Sequence, residues 1–96
     1  MPKDLRAGPA RGRYEYPVEG GTAFADYIRQ GDVLLITYTQ VPDALRGRGV
    51  GAELVKALLD EVRAQGLKVV PQCGFVAAYI NHHPATHDLL ADEAAG

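Results

Sequence analysis

The stretch LRGRGVGAELVKALLDEV, residues 45–62, decides the fold because glycines run directly into a helical pattern. Apolar residues recur at every fourth position, at Val50, Leu54, Leu58 and Val62. This spacing predicts an amphipathic helix over about residues 50–65. Glycine loses more conformational freedom than other residues when it is fixed, so the cluster of Gly47, Gly49 and Gly51 indicates that something approaches the backbone closely.

Three antiparallel strands are predicted before this helix. The first, Arg13–Val18, alternates between the two faces of a sheet, and the Gly20–Gly21 pair suits a tight hairpin turn into a return strand over residues 22–29. After a second turn, residues 33–41 (VLLITYTQV) are apolar on both faces along their first half. That pattern is typical of a central strand that is covered on both sides. Pro42 ends the strand.

A short strand and a second helix are predicted after the first helix. Gly66 suits the end of the first helix, residues 67–70 (LKVV) form the strand, and residues 74–83 form the second helix. One more helical turn is expected around Leu89 and Leu90. The predicted fold class is therefore mixed α/β (α+β), an antiparallel three-strand meander followed by a loop–α–β–α unit with parallel flanking strands.

Size and composition restrict the class of protein. The 96 residues fit one domain, which we place at residues 13–96 behind a loose, flexible N-terminal arm of residues 1–12. A formal net charge of −2 argues against nucleic acid as a partner. The single cysteine, Cys73, excludes an internal disulfide and fits a reducing cytosol. Because the sequence shows neither a signal-peptide pattern nor a long apolar run, we expect a soluble, cytoplasmic protein with no membrane partner.

The junction between the glycine loop and the helix is typical of an anion-binding site. The first N–H groups of a helix lack intrahelical partners, and the helix dipole adds positive charge there. Arg46 and Arg48 add guanidinium groups that suit phosphate oxygens. The competing explanation is a turn that merely lets the helix pack tightly on the sheet.

Two familiar phosphate-binding loops do not fit this junction. A P-loop ends in Gly-Lys-Ser/Thr, which is absent from the chain. A dinucleotide-binding loop is followed about 20 residues later by an acidic residue that holds the ribose. Here that region reads LKVVPQC and has no acid.

The loop resembles the acetyl-CoA pyrophosphate loop of the GCN5-related N-acetyltransferases, whose pattern is Gln/Arg-x-x-Gly-x-Gly/Ala. Arg46, Gly49 and Gly51 match the three defined positions, and residues 13–84 resemble the small, minimal branch of that superfamily. The resemblance implies that the glycines clear space for the pyrophosphate, and that the strands ending before the loop and at Cys73 separate around the thioester. It implies acetyl-CoA contacts from Gln40, Val41, Arg46, Gly47, Arg48, Gly49, Val50, Gly51, Ala52 and His83.

The same resemblance implies catalytic candidates. Relatives often carry an acid at the position of Gln40, and an amide cannot act as a base. Cys73, expected near the thioester, is either a nucleophile that accepts the acetyl group or a small buried thiol. Tyr79 matches a superfamily tyrosine that could protonate the leaving thiolate, or it is a core aromatic residue. The adjacent His82 and His83 point apart and lack a partner at ligand spacing, so no metal is expected.

These features predict an acetyl-CoA-dependent N-acetyltransferase whose acceptor is an amine of a small molecule or a protein. The alternative is a binding module for CoA or acetyl-CoA with little catalysis, acting as a sensor or partner subunit. Gln40 favours the alternative, whereas Cys73 and Tyr79 favour the enzyme. The chain is expected to act as a monomer or a homodimer.

Overall fold

The computed structural model describes residues 5–7 and 12–91 of the chain. A single sheet and two α-helices account for most of these residues, with short 3₁₀ segments at Asp43–Leu45 and Pro84–Leu89. The elements are, in order, β1 (Arg6–Ala7), β2 (Arg13–Val18), β3 (Gly21–Gln30), β4 (Val33–Gln40), α1 (Val50–Ala64), β5 (Lys68–Pro71) and α2 (Gly74–Asn81). No helix in the described ranges combines the length and apolar character needed to cross a membrane.

The five strands lie in the sheet in their chain order, β1-β2-β3-β4-β5. The pairs β1–β2, β2–β3 and β3–β4 are antiparallel, whereas β4 and β5 are parallel and joined through α1. This arrangement confirms the predicted mixed α/β class, with a meander followed by a loop–α–β–α unit.

Part of the predicted N-terminal arm is ordered. Residues 6–7 form β1, in which Arg6 pairs with Glu15 of β2, and the preceding Leu5 is buried. The prediction of a loose arm is therefore wrong for residues 5–7, because one apolar residue in a polar segment is enough to anchor a strand edge to the core. Residues 1–4 and 8–11 of that arm lie outside the described residues.

The predicted helix is confirmed as α1, and its two ends explain its length. Gly49 precedes it with a φ of 76°, a left-handed conformation that favours glycine. At the other end, Gly66 has a φ of 71°. The N–H of Gly66 donates to the Arg63 carbonyl, and the N–H of Leu67 donates to the Val62 carbonyl. This pair of bonds is the Schellman arrangement, which satisfies carbonyls at the helix end.

The core lies on one face of the sheet. It joins the apolar stripe of α1 to buried residues of the strands, of α2 and of the C-terminal 3₁₀ segment, among them Ala23, Ala25, Leu34, Ile36, Leu54, Leu58, Val69, Val76, Ile80 and Leu89. On the opposite face Leu35 is only partly buried, and the side chains of Ile28 and Tyr38 are about half exposed. The prediction that β4 is covered on both sides is therefore wrong, since the described helices pack on one face only.

A β-bulge in β4 changes which side chains face the core. Asp26 and Tyr27 are consecutive in β3, but their partners in β4 are Tyr38 and Ile36, so Thr37 is an extra residue. An extra residue reverses the alternation of side chains beyond it. Thr39 consequently lies opposite the buried Ala25, on the core face.

The pairing between β4 and β5 ends at the same point. Ile36 pairs with Pro71, and its carbonyl accepts hydrogen bonds from the N–H groups of Gln72 and Cys73, each at 3.0 Å. Beyond Ile36, β4 continues to Gln40 without a β5 partner. The two neighbouring strands therefore leave a gap between their carboxyl ends.

The C-terminal segment packs against α1 and β5. The predicted turn around Leu89 is the end of the 3₁₀ segment, and Leu90 forms a parallel bridge with Val69. Arg63 of α1 binds the carboxylate of Asp88 through two nitrogens, at 2.6 and 3.0 Å. These contacts fix the segment up to residue 91.

Candidate functional site

A cavity of about 710 Å³ opens at the gap between β4 and β5. It is bounded by the end of β4, the glycine loop, the first turn of α1 and the start of α2. The lining residues are Tyr38, Thr39, Gln40, Val41, Asp43, Leu45, Arg46, Gly47, Gly49, Val50, Gly51, Ala52, Cys73 and Phe75. A cavity of this size is in the range of small-molecule and cofactor sites.

The glycine turn that lines the cavity presents bare backbone. Gly47 and Gly49 have φ values of 82° and 76°, and a Cβ built on either residue would meet no atom within 4 Å. The first hydrogen bond of α1 is donated by the Glu53 N–H to the Gly49 carbonyl, at 3.0 Å. No side chain caps this helix start within the part of the chain that the structure describes. Its first N–H groups are therefore available to an anion.

The glycine at position 51, unlike Gly47 and Gly49, lies where a side chain would collide with its neighbours. A Cβ at this position would lie 2.7 Å from Phe75 Cζ and 3.3 Å from Val41 Cγ2. The space beside Gly51 is thus taken by an aromatic ring of α2. Packing against Phe75 therefore gives a second reason for a glycine at this position, and the role of Gly51 in clearing space for a pyrophosphate stays a prediction.

The charges of the loop are partly offset. The Arg46 guanidinium lies 3.3 Å from the Asp43 carboxylate, and both side chains are largely exposed. Arg48 is also exposed but does not line the cavity. An anion that enters the cavity would therefore find Arg46 paired with Asp43, and it would find Arg48 outside the cavity lining.

Cys73 also lines the cavity and immediately precedes α2. Its Sγ is 3.3 Å from the Thr39 hydroxyl oxygen, and the thiol is free and partly buried. Burial acts to raise the pKa of this thiol, but the Thr39 hydroxyl and the backbone of Val76, Phe75 and Thr39 lower it by more. The pKa of Cys73 is therefore below its usual value, which increases the thiolate fraction near neutral pH.

Gln40 lines the cavity near the end of β4. The Tyr38 hydroxyl lies 3.2 Å from Gln40 Oε1, and Tyr38 also lines the cavity. Among the described residues, Asp43 is the one lining residue with a carboxylate. That carboxylate is on the loop beside Arg46.

Tyr79 and His83 do not line this cavity. Their rings stack with centroids 3.9 Å apart, and His83 Nδ1 lies 2.6 Å from the Tyr79 carbonyl oxygen. The predicted roles of Tyr79 as an acid and of His83 as an acetyl-CoA contact stay predictions. In the described ranges, no group of three or more His, Cys, Asp or Glu side chains is placed to hold a metal ion.

Most of the predicted contacts meet in the cavity, whereas several lining residues escaped prediction. The sequence-predicted residues that line it are Gln40, Val41, Arg46, Gly47, Gly49, Val50, Gly51, Ala52 and Cys73. The residues that were missed are Tyr38, Thr39, Asp43, Leu45 and Phe75. Asp43 and Leu45 could have been included from the loop sequence, but nothing in the sequence marks the bulge that turns Thr39 inward.

Comparison with known proteins identifies the family of the chain. A family model described as GCN5-related N-acetyl-transferase matches residues 13–89. Protein NATD1 of Gallus gallus and of Mus musculus is 41% identical over 49 residues, covering 51% of this chain and 44% of each relative. The match therefore spans less than half the length of these relatives.

A solved structure shares the fold. A GCN5-like protein from Staphylococcus aureus, determined by solution NMR, superposes with a TM-score of 0.69 over 93% of this chain and 90% of its own. Its sequence identity is 24%, so this likeness concerns the fold alone. Because the family model matches most of the chain, the chain belongs to the GCN5-related N-acetyltransferase family.

Proposed function

We propose that this protein is an acetyl-CoA-dependent N-acetyltransferase that acts on an amine. The observation that carries the proposal is that bare helix N–H groups and the Cys73 thiol border one cavity. Acetyl-CoA carries a group for each, an anionic pyrophosphate for the N–H groups and a reactive thioester for the thiol. A reducing compartment such as the cytoplasm would keep Cys73 as a free thiol.

The lining residues fit this substrate. Gly47, Gly49 and the first turn of α1 would accept the pyrophosphate, because their backbone is open and their N–H groups lack side-chain caps. Gln40 and Val41 follow the unpaired part of β4 and would lie along the pantetheine arm. The substrate supplies an activated acetyl group when it is bound at this site.

The thiol of Cys73 is the group best placed to receive the acetyl group. Its thiolate attacks the thioester carbonyl, an S–C bond to Cys73 forms, and CoA leaves as a thiolate that takes a proton from water. The acceptor amine then attacks the acetyl-cysteine carbonyl, the S–C bond breaks, and the amine loses its proton to water. The Cys73 thiolate is regenerated.

Direct attack of the amine on acetyl-CoA is less well served by the described residues. Like the second step of the covalent route, it needs a base, or water in its place, to take the amine proton. The amide of Gln40 cannot supply one, and the Asp43 carboxylate is paired with Arg46 on the loop. Since both routes pass the amine proton to water, the position of the Cys73 thiol in the cavity favours the covalent route, and its lowered pKa supports it.

A binding module for acetyl-CoA with little catalysis is the second candidate. The observation that favours it is the lack of an unpaired carboxylate among the described lining residues. The two candidates share the cavity and differ in whether an acetyl group leaves CoA.

Calorimetric titration with acetyl-CoA tests the site. We expect saturable binding by the wild type and weaker binding by Gly49→Ala, whose new methyl group would enter the open turn. Gly31→Ala is the matched control, because Gly31 also has a positive φ, 61°, and open space but lies in the β3–β4 turn. Equal loss of affinity in both variants, or no binding by the wild type, would count against the proposed site.

Intact mass after incubation with acetyl-CoA separates the two candidates. The enzyme predicts the gain of one acetyl group on the wild type and none on Cys73→Ala. It also predicts loss of that acetyl group when a test amine such as a lysine-containing peptide is added. Binding without any acetyl transfer would favour the binding module.

A further inference from the structure

We propose that Thr39 is a positioning residue that holds the Cys73 thiol at the acetyl-CoA cavity through its hydroxyl group. The inference rests on the proposed role of Cys73 and extends it to a residue of a different strand. Thr39 Oγ1 lies 3.3 Å from Cys73 Sγ, and both residues line the cavity.

The Thr37 bulge places the hydroxyl on this side of the sheet. Without an extra residue, the alternation from Leu34 and Ile36 would put Thr39 on the opposite face. With the bulge, Thr39 lies across from Ala25, on the core face. The Thr39 hydroxyl therefore points toward Cys73 because of a backbone irregularity and not because of regular strand geometry.

The contact spans the gap where β4 and β5 no longer pair. The last backbone link in this region is the pair of hydrogen bonds from Gln72 and Cys73 to the Ile36 carbonyl. Beyond it, the thiol interacts with the Thr39 hydroxyl on the β4 side and with backbone groups of Phe75 and Val76 on the α2 side. The hydroxyl adds to the restraint on thiol rotation, and when Cys73 is ionised it can donate a hydrogen bond to the sulfur.

The hydroxyl is also a direct influence on thiol ionisation. Thr39 is one of the groups that lower the pKa of Cys73, together with nearby backbone amides. The other titratable or charged groups that line the cavity are Tyr38 of β4 and Asp43 and Arg46 of the loop. The lining residues from α1 and α2 carry no such group.

The test is the pH profile of Cys73 alkylation by iodoacetamide in the absence of acetyl-CoA. Thr39→Val keeps the shape of the side chain and removes the hydroxyl, and we expect alkylation at pH 7 to become about threefold to tenfold slower. Thr39→Ser retains the hydroxyl and should stay near the wild-type rate. Thr22→Val, at an exposed position of β3, is the control for a threonine without this contact.

Two results would overturn the proposal. One is a Thr39→Val profile that matches those of the wild type and Thr22→Val. The other is a Thr39→Ser profile as slow as that of Thr39→Val, since the hydroxyl would then not be the cause. Circular dichroism checks that each variant is folded, and Thr39→Ala replaces Thr39→Val if the latter does not fold.

Failure of this inference and failure of the proposed function are distinguishable. Alkylation reports on the thiol of the free protein, whereas calorimetry reports on acetyl-CoA binding. If Thr39→Val is alkylated slowly but the wild type does not bind acetyl-CoA, the role of Thr39 is supported and the proposed function is not. If the wild type binds acetyl-CoA and the Thr39→Val alkylation profile is unchanged, the function is supported and the role of Thr39 is not.

Discussion

Gly51→Ala tests whether the first turn of α1 needs a glycine for packing against α2. The Phe75 ring lies 2.7 Å from the position of the new Cβ at its nearest atom and 3.3 Å at the next. Carbon atoms in contact normally stay about 3.5–4.0 Å apart, so the ring must move by roughly 1 Å. The ring can move, because Phe75 is 48% exposed, but it then loses its contacts with the helix.

Two opposing terms set the expected change in the free energy of unfolding. Alanine is favoured over glycine within a helix by about 1 kcal/mol. Crowding a packed side chain costs about 1–3 kcal/mol. We therefore expect Gly51→Ala to lower the free energy of unfolding by roughly 1 kcal/mol in the native background. In a Phe75→Ala background only the 3.3 Å approach to Val41 Cγ2 remains, and the same change should raise the free energy of unfolding by about 0.5–1 kcal/mol.

Urea denaturation of the wild type, both single variants and the double variant gives the coupling free energy between the two positions. We expect it to be about 1.5–2 kcal/mol. Gly74→Ala is the matched control, because a Cβ at this first residue of α2 would meet nothing within 4 Å. Equal stabilisation by Gly51→Ala in both backgrounds would refute the packing explanation and return Gly51 to the role of clearing space for a ligand.

Three further predictions concern the scaffold. Leu58→Ala, at a fully buried position of α1, should lower the free energy of unfolding by about 2–5 kcal/mol in urea denaturation, and a change below that range would mean that the site is loosely packed. Gly66→Ala forces alanine to adopt a φ of 71° and should lower it by about 1 kcal/mol, measured in the same way. The hydrogen bonds from Arg63 lower the pKa of Asp88, so this pair stabilises the fold above the ordinary aspartate pKa and loses its effect as the pH falls through the lowered value. The difference in Tm between the wild type and Arg63→Gln should therefore be present at neutral pH and disappear in acid, and a difference that persists unchanged in acid would contradict this assignment.

The elements that the sequence predicts well are those with a local physical cause. The stripe of α1 follows from its apolar spacing, and its end follows from Gly66, whose positive φ allows the Schellman bonds. The turn at Gly20 likewise has a φ of 98°. In each case a few neighbouring residues determine the backbone, so a short window of sequence is informative.

The features that escape prediction depend on contacts between distant residues. Thr37 is an ordinary strand residue, and its bulge is visible only in the pairing of β3 with β4. The apolar residues of β4 do not reveal that Leu35 lies on the less covered face. The link between Gly51 and Phe75 joins two helices, and a loop pattern alone cannot separate such packing from space kept for a ligand.

The topology explains why the glycine turn and the thiol meet in one cavity. β4 and β5 are parallel neighbours, so their carboxyl ends lie on the same side of the sheet. The segment after β4 leads to the start of α1, and the segment after β5 leads through Cys73 to the start of α2. Ligand sites in open α/β sheets form at such carboxyl ends, and each helix start offers N–H groups and positive charge.

The two helix starts can therefore have different roles at the proposed site, one in binding phosphate and the other in ionising the thiol. The start of α1 presents open backbone to a phosphate group, whereas Cys73, the residue before α2, has its pKa lowered in part by the backbone of Phe75 and Val76. One helix end would hold the anionic part of the substrate and the other would favour the nucleophilic thiolate. Because the bulge at Thr37 and the end of pairing at Ile36 open the gap between them, a change that restored regular pairing there would close the cavity and leave both helix starts without a shared ligand.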